Sequence, residues 1–240
     1  MAFERTAAVV AALSIAATGL FVSGGSAEAA ESPVDITSVQ AADVHVRSDS
    51  CHSDFWTVTY SAPEFYKLDY DEIEIWKGGD QVDTAYMVRS FDGPMLHDTY
   101  DYCPNRGLGR FRAGPNYGSW TFDDGSSLET GDVEDNTTDY FLAKSDQIAS
   151  LSSSKKRGRV HLSTRVRHYV ICEGWKAWAR RAVYVQKKTS AGDWKTIRTL
   201  RTNSKGRASV SFTSSRKHAY RAVVHGNSRH WPDTSRTTSR

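Results

Sequence analysis

Ala182-Val183-Tyr184-Val185-Gln186, a turn at Ala191-Gly192-Asp193, then Trp194-Lys195-Thr196-Ile197-Arg198-Thr199-Leu200: this stretch decides the fold class. Its apolar and polar residues alternate with the two-residue period of a strand that keeps one face in water. β-Branched and aromatic residues fill the strand positions, and Gly192 with Asp193 marks the return. The signature recurs outward, in Arg159-Val160-His161-Leu162-Ser163, Arg207-Ala208-Ser209-Val210-Ser211-Phe212 and Tyr220-Arg221-Ala222-Val223-Val224, with a second turn at Asn203-Ser204-Lys205-Gly206. Alternation directs Val183, Val185, Ile197, Val210, Phe212 and Val223 toward a core.

Upstream, Asp35 to Val39, Phe55 to Tyr60, Glu72 to Trp76 and Gly118 to Phe122 are strands by the same criterion, separated by Gly78-Gly79-Asp80, Asp92-Gly93-Pro94 and Asp124-Gly125. In Glu72-Ile73-Glu74-Ile75 the isoleucines face a core and the glutamates face water. No amphipathic helical pattern of useful length follows Ala29, which disfavours alternating α/β folds. The sequence therefore predicts an all-β protein of two small β-sheet domains, residues 30–145 and 146–240. In the second, about seven short strands at roughly 8–12-residue spacing fit an immunoglobulin-like β-sandwich. The polar run from Lys144 to Gly158 reads as a linker plus a loop, and no sequence repeat relates the halves.

Residues 1–29 have the form of an export signal. Arg5 precedes the nearly uncharged run Ala7 to Val22, and Ala27-Glu28-Ala29 supplies the small residues of a cleavage site. The apolar run is shorter than the ~20 residues that span a bilayer, and no later stretch is long and apolar enough to do so. The expectation is a secreted, extracellular chain without a membrane span after cleavage.

Net charge of +3 conceals opposite halves. Residues 30–145 carry 22 Asp and Glu against 8 Lys and Arg, a balance of −14; residues 146–240 carry 4 against 22, a balance of +18. Such asymmetry bears on association and solubility rather than on fold. The halves attract each other, or each meets its own charged partner, or the charges serve solubility. Of the three cysteines, Cys51 and Cys103 share the acidic half and pair as a disulfide there. Cys172 is left as a buried small hydrophobe or an exposed thiol.

Two stretches are candidate sites. Asp123, Asp124, Glu129, Asp132 and Asp135 lie in one acidic segment, a candidate for calcium, although their spacing departs from the EF-hand. The alternative is a solvated loop. In the basic half, Arg165, Arg167, Trp175, Lys176, Trp178, Arg180, Arg181, Lys187, Lys188, Arg198 and Arg201 mix cations with aromatics, a composition suited to an anionic polymer if they share a face. Core packing is the other use for the tryptophans. No G-x-S-x-G, H-E-x-x-H, P-loop or βαβ-embedded G-x-G-x-x-G occurs, the histidines lack zinc-site spacing, and no catalytic residue or cofactor is assigned.

Val160, Trp175 to Trp178, Val183 to Gln186, Asp193 to Thr196, Thr202 to Gly206, and Tyr220 through Arg236 together resemble the C-terminal immunoglobulin-like modules of secreted actinobacterial proteins. Cys103-Pro104-Asn105-Arg106-Gly107-Leu108-Gly109-Arg110-Phe111 is similar to part of the domain that often precedes them. The resemblance implies export and a sandwich and names no activity; Cys172 departs from its pattern. The expected function is a non-catalytic binding or structural module, its basic domain holding an anionic envelope polymer or a secreted or surface protein. The alternatives are an extracellular hydrolase using acidic-half carboxylates and a purely structural envelope component.

Overall fold

The computed structural model describes residues 32–88 and 93–240. The export segment expected at residues 1–29 lies outside the described residues. Among those described, no helix is long and apolar enough to cross a membrane.

The first half holds β1 (Asp35–Gln40), β2 (Val44–Val46), β3 (His52–Ser61), β4 (Tyr66–Lys77), β5 (Asp80–Val88), β6 (Met95–Tyr102), β7 (Gly109–Asp123), β8 (Leu128–Asp135) and β9 (Asp139–Ser145). The second holds β10 (Gln147–Lys156), β11 (Arg159–Val170), β12 (Gly174–Ala177), β13 (Ala182–Lys188), β14 (Trp194–Arg201), β15 (Arg207–Thr213), β16 (Ala219–Val224), β17 (Asp233–Thr234) and β18 (Thr238–Ser239). The chain is all-β, with a single 3₁₀ turn at Pro104–Arg106 among the described residues.

In the first half the sheet β1-β3-β6 faces a sheet ordered β2-β9-β7-β4-β5, with β8 added beside β7. In the second, β10-β11-β15 faces β14-β13-β16, with β12 extending the first sheet and β17 and β18 both pairing with β16 in the other. The second arrangement is the strand order of an immunoglobulin-like sandwich. The first repeats it: β1, β3, β4, β5, β6 and β7 take the places of β10, β11, β13, β14, β15 and β16. A topological repeat thus exists where the sequence shows none, since two unlike sequences with the same alternation share one long-range strand pairing.

Both cores form between facing sheets. Trp56 of β3 meets Tyr100 of β6 at 4.6 Å and Phe141 of β9 at 5.1 Å, and Phe141 stacks on Phe111 of β7 at 5.1 Å. All four rings are buried, each contributing on the order of 1.5–3 kcal/mol through apolar area. In the second sandwich Val160 and Leu162 of β11 pack with Val185 and Tyr220, flanked by Ile197, Val210 and Phe212. Val223 corrects the expectation: Tyr220, Ala222 and Val224 are the buried residues of β16, and Val223 shares the outer face with Arg221.

Cys51 and Cys103 form the disulfide, with Cα atoms 4.1 Å apart. They extend the pair His52–Tyr102 and so fasten neighbouring strands β3 and β6 of one sheet. The adjoining Pro104–Arg106 turn carries the chain to the opposite sheet. There Arg106 pairs with Asp83 at 2.6 Å, and Lys77 donates to the Arg106 carbonyl at 2.8 Å. Cys172 is exposed.

The polar run read as a linker is mostly strand β10. Ser150, Ser152 and Ser154 alternate outward, and Arg157 and Gly158, with φ of 48° and 74°, form the two-residue reversal into β11. Only Asp146 separates β9 from β10. Around it Tyr169, Ile171 and Trp175 pack against the first sandwich's core. Trp231 stacks on His45 at 4.6 Å and donates its Nε1–H to the Val44 carbonyl at 3.0 Å. The Cys172 N–H donates to Asp49 Oδ1 at 2.7 Å. Residues Ser32–Arg240 pack as one unit.

Candidate functional site

Strands β10, β11 and β15 contain not one Asp or Glu, a property they share with β13, β14 and β16 of the opposite sheet and with the short β2, β12 and β18. Antiparallel register sets their outward side chains in rows. Ser150, Arg165 and Arg207 form one; Ser152, Ser163 and Ser209 the next; then Ser154, His161 and Ser211; then Lys156, Arg159 and Thr213. All are exposed except the half-buried Ser211. Beyond Arg165, Arg167 lies over the Trp175 ring at 5.7 Å, and Tyr169 closes the face against the first sandwich. From Arg159 to Arg167 the strip is roughly 27 Å long, with strands about 4.8 Å apart. An open depression of about 280 Å³ is lined by Ser150, Ser152, Ser163, Thr164, Arg165 and Arg207.

Chemically the strip is a flat hydroxyl surface with cations at both ends. Guanidinium forks hold phosphate, sulfate or carboxylate oxygens bidentately, and the serine rows offer donors and acceptors to polymer hydroxyls between charges. The hydroxyls of Ser150 and Ser152 donate to the carbonyls of Arg165 and Ser163, which fixes their orientation.

The structure divides the basic residues expected to form one face. Arg165 and Arg167 belong to the strip. Lys188, on β13, and Arg201, on β14, are exposed on the opposite sheet, and Lys187 with Arg198 lines a separate depression beside Phe212 and Tyr220. Arg180 is exposed in the turn before β13, and Lys176 pairs with Glu173 at 3.4 Å. Trp175 and Trp178 are used in packing: Trp178 stacks on His168 at 4.5 Å under the Arg181 guanidinium at 4.2 Å. Burial of His168 and His230 beside Arg181 depresses both imidazoles, His230 to about 4. Arg159, His161 and Arg207, which the sequence reading did not select, complete the strip. Their signal was present, since the polar phase of Arg159-Val160-His161-Leu162-Ser163 continues through Arg165.

The five calcium candidates do not converge. Asp124 accepts the N–H groups of Ser126 and Ser127, both at 2.8 Å, and these bonds hold its carboxyl down at about 2. Asp123 accepts the Gly125 N–H at 3.0 Å. Both are therefore used in the β7–β8 turn. Glu129, Asp132 and Asp135 lie on strand β8, opposite Phe122, Ser119 and Asn116, and the alternation of the strand splits them between faces. Among the described residues no group of three or more His, Cys, Asp and Glu is placed to hold a metal ion.

A second face stands out on the first sandwich. Register across β5, β4, β7 and β8 aligns Tyr86, Glu72, Tyr117 and Glu134, and beside them Val88, Tyr70, Ser119 and Asp132. Glu74 continues β4 one step further on this face. Tyr86 is 59% exposed and Tyr70 41%. Desolvation, then the nearby charges of Glu74 and Glu134, push the Tyr117 phenol up.

No protein-family model matches the chain, and no curated protein matches it significantly. Among solved structures, trypsin-activated α-2-macroglobulin from Escherichia coli is similar at 12% identity and TM-score 0.28, over 88% of this chain and 16% of that one. The D0-D1 domain of intimin is similar at 14% identity and TM-score 0.27, over 85% of this chain and 97% of that one. The chain thus spans under a fifth of the macroglobulin and nearly all of the intimin fragment.

Proposed function

We propose that this protein is a secreted, non-catalytic binding module that holds an anionic polymer on the outer face of β10, β11 and β15. The observation that carries the reading is the strip itself: register rows in which the serine hydroxyls of three paired strands lie between Arg165 with Arg207 at one end and Lys156 with Arg159 at the other. The disulfide supports an oxidising, extracellular setting.

The test is binding of fluorescent polyphosphate to residues 30–240. Affinity is expected to fall at least about tenfold between ~50 and ~200 mM salt, as counterion release becomes less favourable. Replacing Arg159, Arg165 and Arg207 by Gln should weaken it about as much, while Lys188→Gln with Arg201→Gln on the opposite sheet leaves it within roughly twofold. Absent binding at ~50 mM salt, or equal losses in both variants, rejects the strip as the site.

A further inference from the structure

The ion pairs among the described residues are His45–Asp146, Arg106–Asp83 and Lys176–Glu173. None joins a carboxylate of the first sandwich to a Lys or Arg of the second. Balances of −14 and +18 therefore coexist in one chain with little neutralisation at its join, where the one ion pair is His45–Asp146 and the other contacts are aromatic stacking and hydrogen bonds to the backbone. The two most regular charged surfaces are both flat sheet faces. One carries Glu72, Glu74, Asp132 and Glu134 among Tyr70, Tyr86, Tyr117 and Val88; the other carries Lys156, Arg159, Arg165 and Arg207 among serines. Contiguous exposed tyrosine and valine on a folded surface mark an interaction site, and tyrosine faces beside carboxylates suit guanidinium groups by stacking and pairing together.

We propose that the acidic tyrosine face of one copy docks on the cationic β10–β11–β15 face of a second copy, so that chains associate head to tail. The complementary surface has to come from another molecule. Within one chain the rows of both faces are exposed, apart from the half-buried Glu72, Glu74, Ser119 and Ser211, and the one-residue connection with its packed aromatic join fixes the sandwiches relative to each other. Different patches meeting in this way make a heterologous contact, which builds rings or open chains rather than a closed symmetric pair. The contact uses the strip assigned above to polymer, so polymer and second copy compete for it. Charge dominance predicts weak, salt-sensitive association.

Sedimentation velocity of residues 30–240 provides the test, at ~20 mM and ~300 mM salt over a range from about 5 to 200 μM. The expected result is mass rising with concentration at low salt and a monomer at high salt. A variant with Glu72, Asp132 and Glu134 changed to Asn or Gln, and another with Arg159, Arg165 and Arg207 changed to Gln, should each be monomeric. Mixed, they retain one intact face each and should give a capped one-to-one dimer. Tyr86→Ala checks the same face without touching charge and should shift the dimer equilibrium toward monomer. A wild type that stays monomeric at the highest concentration in low salt overturns the proposal, as does association that persists in either charge variant. Polymer binding separates the two readings: the acidic-face variant should bind polyphosphate as well as or better than wild type whether or not chains associate.

Discussion

Asp71 lies on β4 with no exposed surface, and neither carboxylate oxygen has a partner; Oδ1 of Asn116, also buried, is likewise unpaired. An ionised carboxylate without donors is expensive in such a place. Burial first, then the charges of Asp135 and Glu72, push the group up to about 7. In the unfolded chain it titrates near ~3.9. Between those values the native state keeps a proton that the unfolded state has released, so this group's contribution to stability falls as pH rises through the window and levels off above about 7. The full effect is on the order of 4 kcal/mol as an upper bound. Asp71→Asn removes the titration while keeping the shape. Relative to wild type, the variant should gain stability progressively from pH ~4 to ~8 in urea unfolding. A constant difference across that range would mean that Asp71 does not hold its proton.

At the scale of elements, β16 shows where alternation stops being decisive. Tyr220-Arg221-Ala222-Val223-Val224 ends in two adjacent valines, so either phase buries one of them. Arg221 breaks the tie, because an arginine on the inner phase would be buried without a partner, and it puts Val223 outside with it. Val224→Ala should therefore cost roughly 1–3 kcal/mol and Val223→Ala under about 1, measured by urea unfolding. The reverse order would contradict the burial. The same logic explains what could be read of the strip. Arg165 was legible because its strand has a clean phase, whereas separating Lys188 and Arg201 from it required knowing which strands share a sheet. β15 joins β11, and β14 joins β13, although β14 and β15 are consecutive in sequence. That choice rests on long-range pairing, which local alternation does not encode. The acidic stretch failed as a calcium loop for a related reason: from Leu128 onward it is strand, so its carboxylates point to two sides.

For the whole molecule the consequential feature is the join. A net +18 facing a net −14 suggests electrostatic docking, yet beside the single His45–Asp146 pair the contacts found there are Trp231 on His45, Lys144 over Trp231 at 4.6 Å, and Tyr169, Ile171 and Trp175 against the first core. Apolar contact and backbone hydrogen bonds lose little to salt, unlike exposed charge pairs. Tyr169 is only 5% exposed, and losing its first-sandwich neighbours would uncover it together with Trp175. With one residue between β9 and β10, neither sandwich can unfold without stripping the other's end. Calorimetry of residues 30–240 should accordingly show one transition, with calorimetric and van't Hoff enthalpies in agreement, at both ~20 and ~300 mM salt. Trp231→Ala removes the His45 stack and the Val44 hydrogen bond, and Tyr169→Ala opens the apolar side. Together they should split the melt into two transitions, the first-sandwich core remaining stapled by Cys51–Cys103. A single wild-type transition that separates when salt is added would show that charge rather than the aromatic contact couples the halves, and two transitions at both salt levels would show that neither does.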